Sequence, residues 1–423
     1  MGSKIEKAFI FKQKIIIIIN IINLILYFKN FNMLNMIQLK NHLYKHNLII
    51  SLILFLLLPL NLNAEINILS WGGTYQEMQK EKLGDQFYKS TGIKVNWVNW
   101  RDYPFLKLND ILEYKNTNLP QIDIIDTYIG FKNKLNDLNN KCDQEEIYNF
   151  NKTNNLSSNS KNILHLDDYI VLPQNDCLFG NFLFSWNYAY NINLFGNQKP
   201  LNAKDFFNTK KFPGKRGIYI NPKPNVELSL LADGVSSGGL YKVIKNQTSA
   251  LSRAIKKIDN LCNDPNGGCV FWVSGQEPID LLIDGKVIMT TGWANRFSKS
   301  EVNDNSPFKQ VFEGQIIDYE YYIINNDIEN KEKIFKFLKF VTLPENEIKF
   351  LEKIPYASWR KSTLININNL INGYDETSQK ILNNIPIKSD NYKKQVFIDH
   401  LFWEQNYNEI SKIWQKEILD KYN

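Results

Sequence analysis

The side chains in this sequence best equipped for chemistry are rings and carboxylates set at the ends of short apolar runs. Trp71 and Tyr75 flank a Gly72-Gly73 bend after Ile66–Ser70, and Asp126 and Tyr128 follow Ile122–Ile125. Trp293 comes after Val287–Thr291, and Asp318-Tyr319-Glu320-Tyr321-Tyr322 opens another run. An aromatic face attracts an organic cation through its quadrupole, and a carboxylate adds a charge-assisted hydrogen bond. The combination suits an amine. No single ring carries that reading, because the chain has 9 Trp, 21 Tyr and 26 Phe and most of them must fill cores.

Catalytic patterns are sparse. There is neither a Gly-x-x-x-x-Gly-Lys-Ser/Thr phosphate loop nor Gly-x-Gly-x-x-Gly. Gly234-Val-Ser236-Ser-Gly238 matches the nucleophile elbow, whose serine needs a sharp strand-to-helix turn. Here the preceding Val226–Ala232 reads as a helix stopping at Asp233-Gly234. A secreted serine hydrolase using Ser236 therefore stays as the alternative from another class, and no catalytic residue is assigned. Beyond residue 64 only His165 and His400 could act as imidazole ligands, and no Cys-x-x-Cys exists, so neither a metal nor a cofactor is expected.

The elements that must carry these groups alternate. Ile66–Ser70 reads as a strand, Tyr75–Ser90 as a helix with Thr74 as its cap, and Ile93–Val98 as a strand. Phe105–Tyr114 reads as a helix and Ile122–Ile125 as a strand. That order implies a parallel sheet covered on both faces, with ligands at the carboxyl ends of its strands. Ile334, Phe337, Leu338 and Val341 mark one helical face, and Pro344-Glu345 starts another helix. Asn136–Asn162, rich in Asn, Ser and Lys, reads as a long loop. Residues 65–423 exceed the usual size of one core, so two lobes are expected.

Charge and cysteine speak to compartment. The formal net charge is +6, but residues 1–64 hold seven Lys and one acid, leaving 43 basic and 43 acidic residues in 65–423. A nucleic-acid partner therefore finds no support in the charge. Lys40 and Lys45 precede the apolar run Leu48–Leu60 and then Asn61-Leu-Asn-Ala64, the order of a secretory signal cleaved after Ala64. An uncleaved anchor is the alternative, and a start at Met33 or Met36 would give that signal ordinary length. Four cysteines in an exported chain suggest disulfides: Cys262 with Cys269 around a turn-rich loop, and Cys142 with Cys177 as the remaining pair.

Taken in order, the motifs resemble bacterial extracellular solute-binding proteins of the spermidine/putrescine-binding type. They are Ile68-Leu-Ser-Trp71-Gly-Gly-Thr-Tyr75, Trp186-Asn-Tyr-Ala-Tyr190-Asn, Phe212-Pro-Gly-Lys-Arg216, Glu227-Leu-Ser-Leu-Leu-Ala-Asp-Gly234, Gly285-Lys-Val-Ile-Met289 and Ile354-Pro-Tyr356. The resemblance spans nearly all of 65–423. It implies an α/β, type II periplasmic-binding-protein fold whose two lobes close on ligand, in a periplasmic monomer serving a membrane ABC permease. It places crossings near Tyr188–Asn191, Gln315–Asp318 and Tyr356. The lobes would then be 65–188 with 316–355, and 189–315 with 356–423. By position it makes Trp71, Tyr75, Tyr128, Trp293 and Tyr356 ligand-facing rings, and Glu227 and Glu320 ligand-facing acids. Asp126 and Asp318 stand where the family more often has a small hydroxyl residue and an aromatic. Three or four carboxylates would hold a polyamine such as spermidine or putrescine. A helix N-terminus at Thr74 would instead welcome a carboxylate, which keeps an amino acid or γ-amino acid as the alternative ligand.

Overall fold

The computed structural model describes residues 65–102, 120–128, 165–172, 178–195, 198–303, 306–324, 331–387 and 395–423. The leader, the Phe105–Tyr114 helix, the 136–162 loop and the Cys142–Cys177 pair lie outside the described residues.

Strand β1 (Glu65–Ser70) runs into a Gly-Gly bend and then helix α1 (Gly73–Gln79). Gly72 has φ 72°, and a Cβ there would meet the Asn99 amide at 2.3 Å, so the bend requires glycine. Gly72 is itself the cap residue, and its N–H donates to Gln76 Oε1 at 3.0 Å. Thr74 is corrected accordingly: it is exposed in the first turn and caps nothing. A π-turn at Lys80–Gly84 leads into α2 (Asp85–Thr91), which ends at left-handed Gly92. β2 (Lys94–Asn99) and β3 (Ile124–Tyr128) then flank β1 in parallel, the arrangement expected of a strand–helix–strand unit.

β4 (Leu178–Asn191) is buried along its whole length and leads into the second half of the fold. There β5 (Arg216–Tyr219) is followed by α3 (Pro222–Ala232), β6 (Cys269–Trp272), β7 (Met289–Trp293) and α4 (Ala294–Asn303). β8 (Phe308–Ile324) returns antiparallel to β4. The Asp318–Tyr322 stretch thus sits deep within a 17-residue strand and does not open one. The far half of β8 pairs with β3, and the far half of β4 pairs with β7. Two long strands are therefore shared by two α/β lobes, with strand order β2-β1-β3-β8-β4-β7-β5-β6.

After β8, α5 (Lys331–Val341) buries Ile334, Phe337, Leu338 and Val341, the face read from the sequence. α6 (Pro344–Leu351) follows, then β9 (Ala357–Ser358) on β4, α7 (Lys361–Leu370), α8 (Glu376–Asn383), β10 (Val396–Phe397) on β8, and α9 (His400–Trp414). α7 packs on α6 and β9, whereas α8 packs on α4 and α9 on α3. We therefore propose a division that differs from the sequence reading twice. Trp186–Tyr188 belong with the second lobe because they pair with β7. The final passage between lobes falls after Leu370, not at Tyr356.

The Ser236 elbow is not formed. α3 ends before Gly234 (φ 86°), and Ser236 precedes a 3-10 turn at Ser237–Gly239 with no strand leading into it. Cys262 and Cys269 are joined, tying the helix Thr248–Cys262 to β6.

Candidate ligand-binding site

The crossing of β4 and β8 gathers rings from both lobes into a chain of contacts. Trp100 stacks on Trp71 with centroids 6.2 Å apart, and Trp71 meets Tyr128 at 5.6 Å. Tyr128 meets Phe184 at 6.2 Å, and Phe184 meets Trp186 at 6.5 Å. Trp186 then joins Trp293 at 4.8 Å and Tyr219 at 5.0 Å, with Trp272 behind. Trp71, Trp100, Tyr128, Tyr219, Trp272 and Trp293 stand at or just past the carboxyl ends of β1, β2, β3, β5, β6 and β7, the edge where open parallel sheets take ligands, and Phe184 and Trp186 join them from the middle of β4. Trp71, Tyr128 and Trp293 were predicted for it. Trp100, Phe184, Trp186, Tyr219 and Trp272 were not, although Trp186 lies in a motif that carries the family resemblance.

Beside this chain, Tyr75 packs on Tyr356 at 5.4 Å, and Tyr356 on Phe182 at 6.1 Å. The Tyr75 hydroxyl accepts from Asn181 Nδ2 at 3.2 Å. Burial raises the pKa of both phenols, so both stay neutral donors.

The four predicted acids occupy four different situations. Asp126 is fully buried and saturated by neutral donors: Gln79 Nε2 at 2.7 Å, Asn181 Nδ2 at 2.9 Å and the Ser70 hydroxyl at 3.1 Å. Burial still outweighs those bonds and pushes its pKa up to about 6. Asp318, also fully buried, lies 2.8 Å from Lys223 Nζ and 2.6 Å from His400 Nε2. Burial alone would raise its pKa, but the ammonium and the imidazole hold it well below the usual range. Glu227 lies between α3, α9 and the helix Leu240–Asn246, where its Oε1 accepts from the Tyr241 hydroxyl at 2.6 Å and Trp403 Nε1 at 2.7 Å.

Glu320 differs. Its side chain accepts one hydrogen bond, from Trp71 Nε1 at 3.2 Å, and among the described residues it has no basic partner. Burial, then the nearby charge of Asp126, raises its pKa well above the ordinary value. It stands directly opposite Tyr128 in the β3–β8 register. A carboxylate kept dry beside indole and phenol rings is well placed to accept an ammonium.

On the other lobe, α4 starts immediately after Trp293 and presents Arg296 in its first turn. Arg296 is exposed and has no acidic partner among the described residues, and its charge reaches Tyr356. A Cβ on Gly275 would meet Trp293 at 2.8 Å and the Arg296 Nε at 3.4 Å, so the β6 loop closes directly over both.

Two α/β lobes sharing antiparallel crossing strands, with rings and an unpaired carboxylate at the crossing, define a two-lobed binding protein for a small solute. The family model described as bacterial extracellular solute-binding protein matches residues 82–365, and the chain belongs to that family. Its members bind solutes and are not enzymes, and membership implies an exported, periplasmic or extracellular location. The gamma-aminobutyric acid-binding protein of Pseudomonas aeruginosa is 32% identical over 189 residues, which is 45% of this chain and 52% of that protein. That match thus spans about half of the relative's length. An ABC transporter substrate-binding protein from Bradyrhizobium japonicum has the same fold, with TM-score 0.64 and 23% identity over 84% of this chain and 100% of that one. So does the spermidine/putrescine ABC transporter substrate-binding protein of Streptococcus pneumoniae, with TM-score 0.57 and 16% identity over 84% of this chain and 99% of the other.

Proposed function

We propose that this chain is the substrate-binding component of an ABC importer and delivers a small ω-amino acid of the 4-aminobutanoate type to its membrane permease. The observation that carries this reading is Glu320: it accepts a single hydrogen bond, from Trp71, and has no cation partner among the described residues, whereas Asp318 is paired with Lys223, Asp126 accepts from three donors, and Glu227 is held through Oε1 by Tyr241 and Trp403 among three helices. One available carboxylate among rings fits one ammonium. A polyamine would need a second, and the acids expected to supply it are engaged inside the protein.

Arg296 on the opposite lobe supplies the charge for a ligand carboxylate. A zwitterion with its charges at its two ends would span from Glu320 in the first lobe to Arg296 in the second. Such a ligand favours the closed state because each end is bound by a different lobe. The gamma-aminobutyric acid-binding relative supports the same ligand class.

The test is calorimetric titration of purified 65–423 with 4-aminobutanoate, 5-aminopentanoate, α-amino acids, putrescine and spermidine. Melting shifts should agree, since a ligand at about 100 times its Kd stabilises by about 2.7 kcal/mol. Binding of spermidine or putrescine with no response to any ω-amino acid would restore the polyamine reading.

A further inference from the structure

Asp318 and Glu320 lie two residues apart on β8, so their side chains leave the same face of the strand. Their Cα atoms are separated by about 6.6 Å, twice the rise per residue. Two carboxylates so arranged beside Tyr128 would make a two-point seat for a short diamine. One of the two points is already taken. Lys223, from the start of α3 in the second lobe, places its ammonium 2.8 Å from Asp318 Oδ2 and 5.9 Å from the centroid of the Tyr128 ring. It therefore makes both contacts that a ligand ammonium would make there, and it is 1% exposed.

Resting on the ω-amino acid reading above, we propose that Lys223 sets the ligand class. Its ammonium fills the seat of a second ligand cation and leaves Glu320, of the two acids that β8 presents here, open to an amine. The wild-type protein thereby rejects diamines. A diamine in this cleft would place its distal ammonium against Lys223 with no free acid to pair it. An ω-amino acid brings no second cation and meets no such penalty. His400 completes the arrangement from α9 at 2.6 Å from Asp318, and burial favours its neutral form, so the ammonium of Lys223 is the charge that balances this acid.

The experiment compares putrescine with 4-aminobutanoate in the wild type, Lys223→Met and Lys223→Gln, by calorimetry and melting at pH 8, where His400 stays neutral. Methionine removes the charge at similar length, and glutamine keeps a hydrogen bond to Asp318. In either variant putrescine should bind at least about tenfold tighter than in the wild type, the low end of what a close charge pair supplies. It should also raise the melting temperature of the variants and not that of the wild type. A folded Lys223→Met or Lys223→Gln protein with wild-type putrescine affinity overturns the proposal. Should neither variant fold, the wild type decides: putrescine bound as tightly as 4-aminobutanoate overturns it, and a preference of at least tenfold for 4-aminobutanoate upholds it. A wild type that ignores ω-amino acids while the variants gain putrescine would refute the proposed ligand and keep the role of Lys223.

Discussion

Replacing Glu320 by glutamine separates two opposite effects of one buried carboxylate. Without ligand, Glu320 is 6% exposed, accepts a hydrogen bond from Trp71, and feels the charges of Asp126 and Asp318. A carboxyl group whose pKa is raised on folding keeps a proton that the unfolded chain has released. Its full stability is present at acidic pH and is lost as the pH rises from the ordinary glutamate range through the raised folded value. Glutamine carries no such penalty. At pH 8 the ligand-free Glu320→Gln protein should be more stable than wild type by about 0.5–2 kcal/mol, the usual return from relieving a local liability. In a melt this is a rise of a few degrees.

Binding should move the other way. Removing one side of a desolvated charge pair costs about 2–5 kcal/mol, or roughly 30-fold to several thousandfold in Kd. An ammonium arriving at Glu320 also displaces the carboxyl proton. Wild-type binding below the raised pKa should therefore release up to about one proton, visible as a dependence of the calorimetric enthalpy on the buffer's ionisation enthalpy. The glutamine variant should release none. A variant that is less stable without ligand yet binds the ω-amino acid with unchanged affinity would refute this reasoning and move the ammonium site elsewhere.

Three further outcomes concern the scaffold. Gly180→Ala would set a Cβ 2.6 Å from the ring of Trp359, whose Nε1 donates to the Glu320 carbonyl; overpacking there should cost about 1–3 kcal/mol by denaturant titration and perturb the site through β8. Cys262→Ser with Cys269→Ser opens a disulfide of sequence separation 7; unfolding should then be easier by about 2.5 kcal/mol in urea, with ligand affinity retained. Glu347, between Ser358 and Thr363, has its pKa raised by burial from 4.5 to about 7, so stability should decline between those pH values by up to about 3 kcal/mol on its account. Glu347→Gln should flatten that decline in pH-resolved denaturation curves.

Much of the scaffold was legible along the chain. The Ile334–Val341 stripe, the Gly-Gly bend after Ser70 and the strand–helix–strand opening are written within a few residues of one another, because local periodicity reports which face is buried. The limits of local reading appear at β8. The sequence reading opens a strand at Asp318, whereas the 17-residue β8 starts at Phe308 and serves two lobes: β4 lies along one edge while the partner on the other edge changes from β10 at Ile316–Ile317 to β3 at Glu320–Ile324. Thr74 reads as a cap from its type, yet the cap position goes to Gly72, where φ is positive and a side chain would strike Asn99.

The ligand site divides along the same line. The sequence by itself determined which rings and acids the chain has to offer, and the order of motifs determined the family. Residue type and spacing are enough for both. Which acid remains for a ligand was decided by tertiary structure alone. Asp318 is neutralised by Lys223, 95 residues away, and contacted by His400, 82 residues away. Asp126 is sealed by Gln79 and Asn181, 47 and 55 residues distant. A carboxylate's availability depends on the solvent and charge around it in space, and the chain brings those partners together only when the two long strands cross.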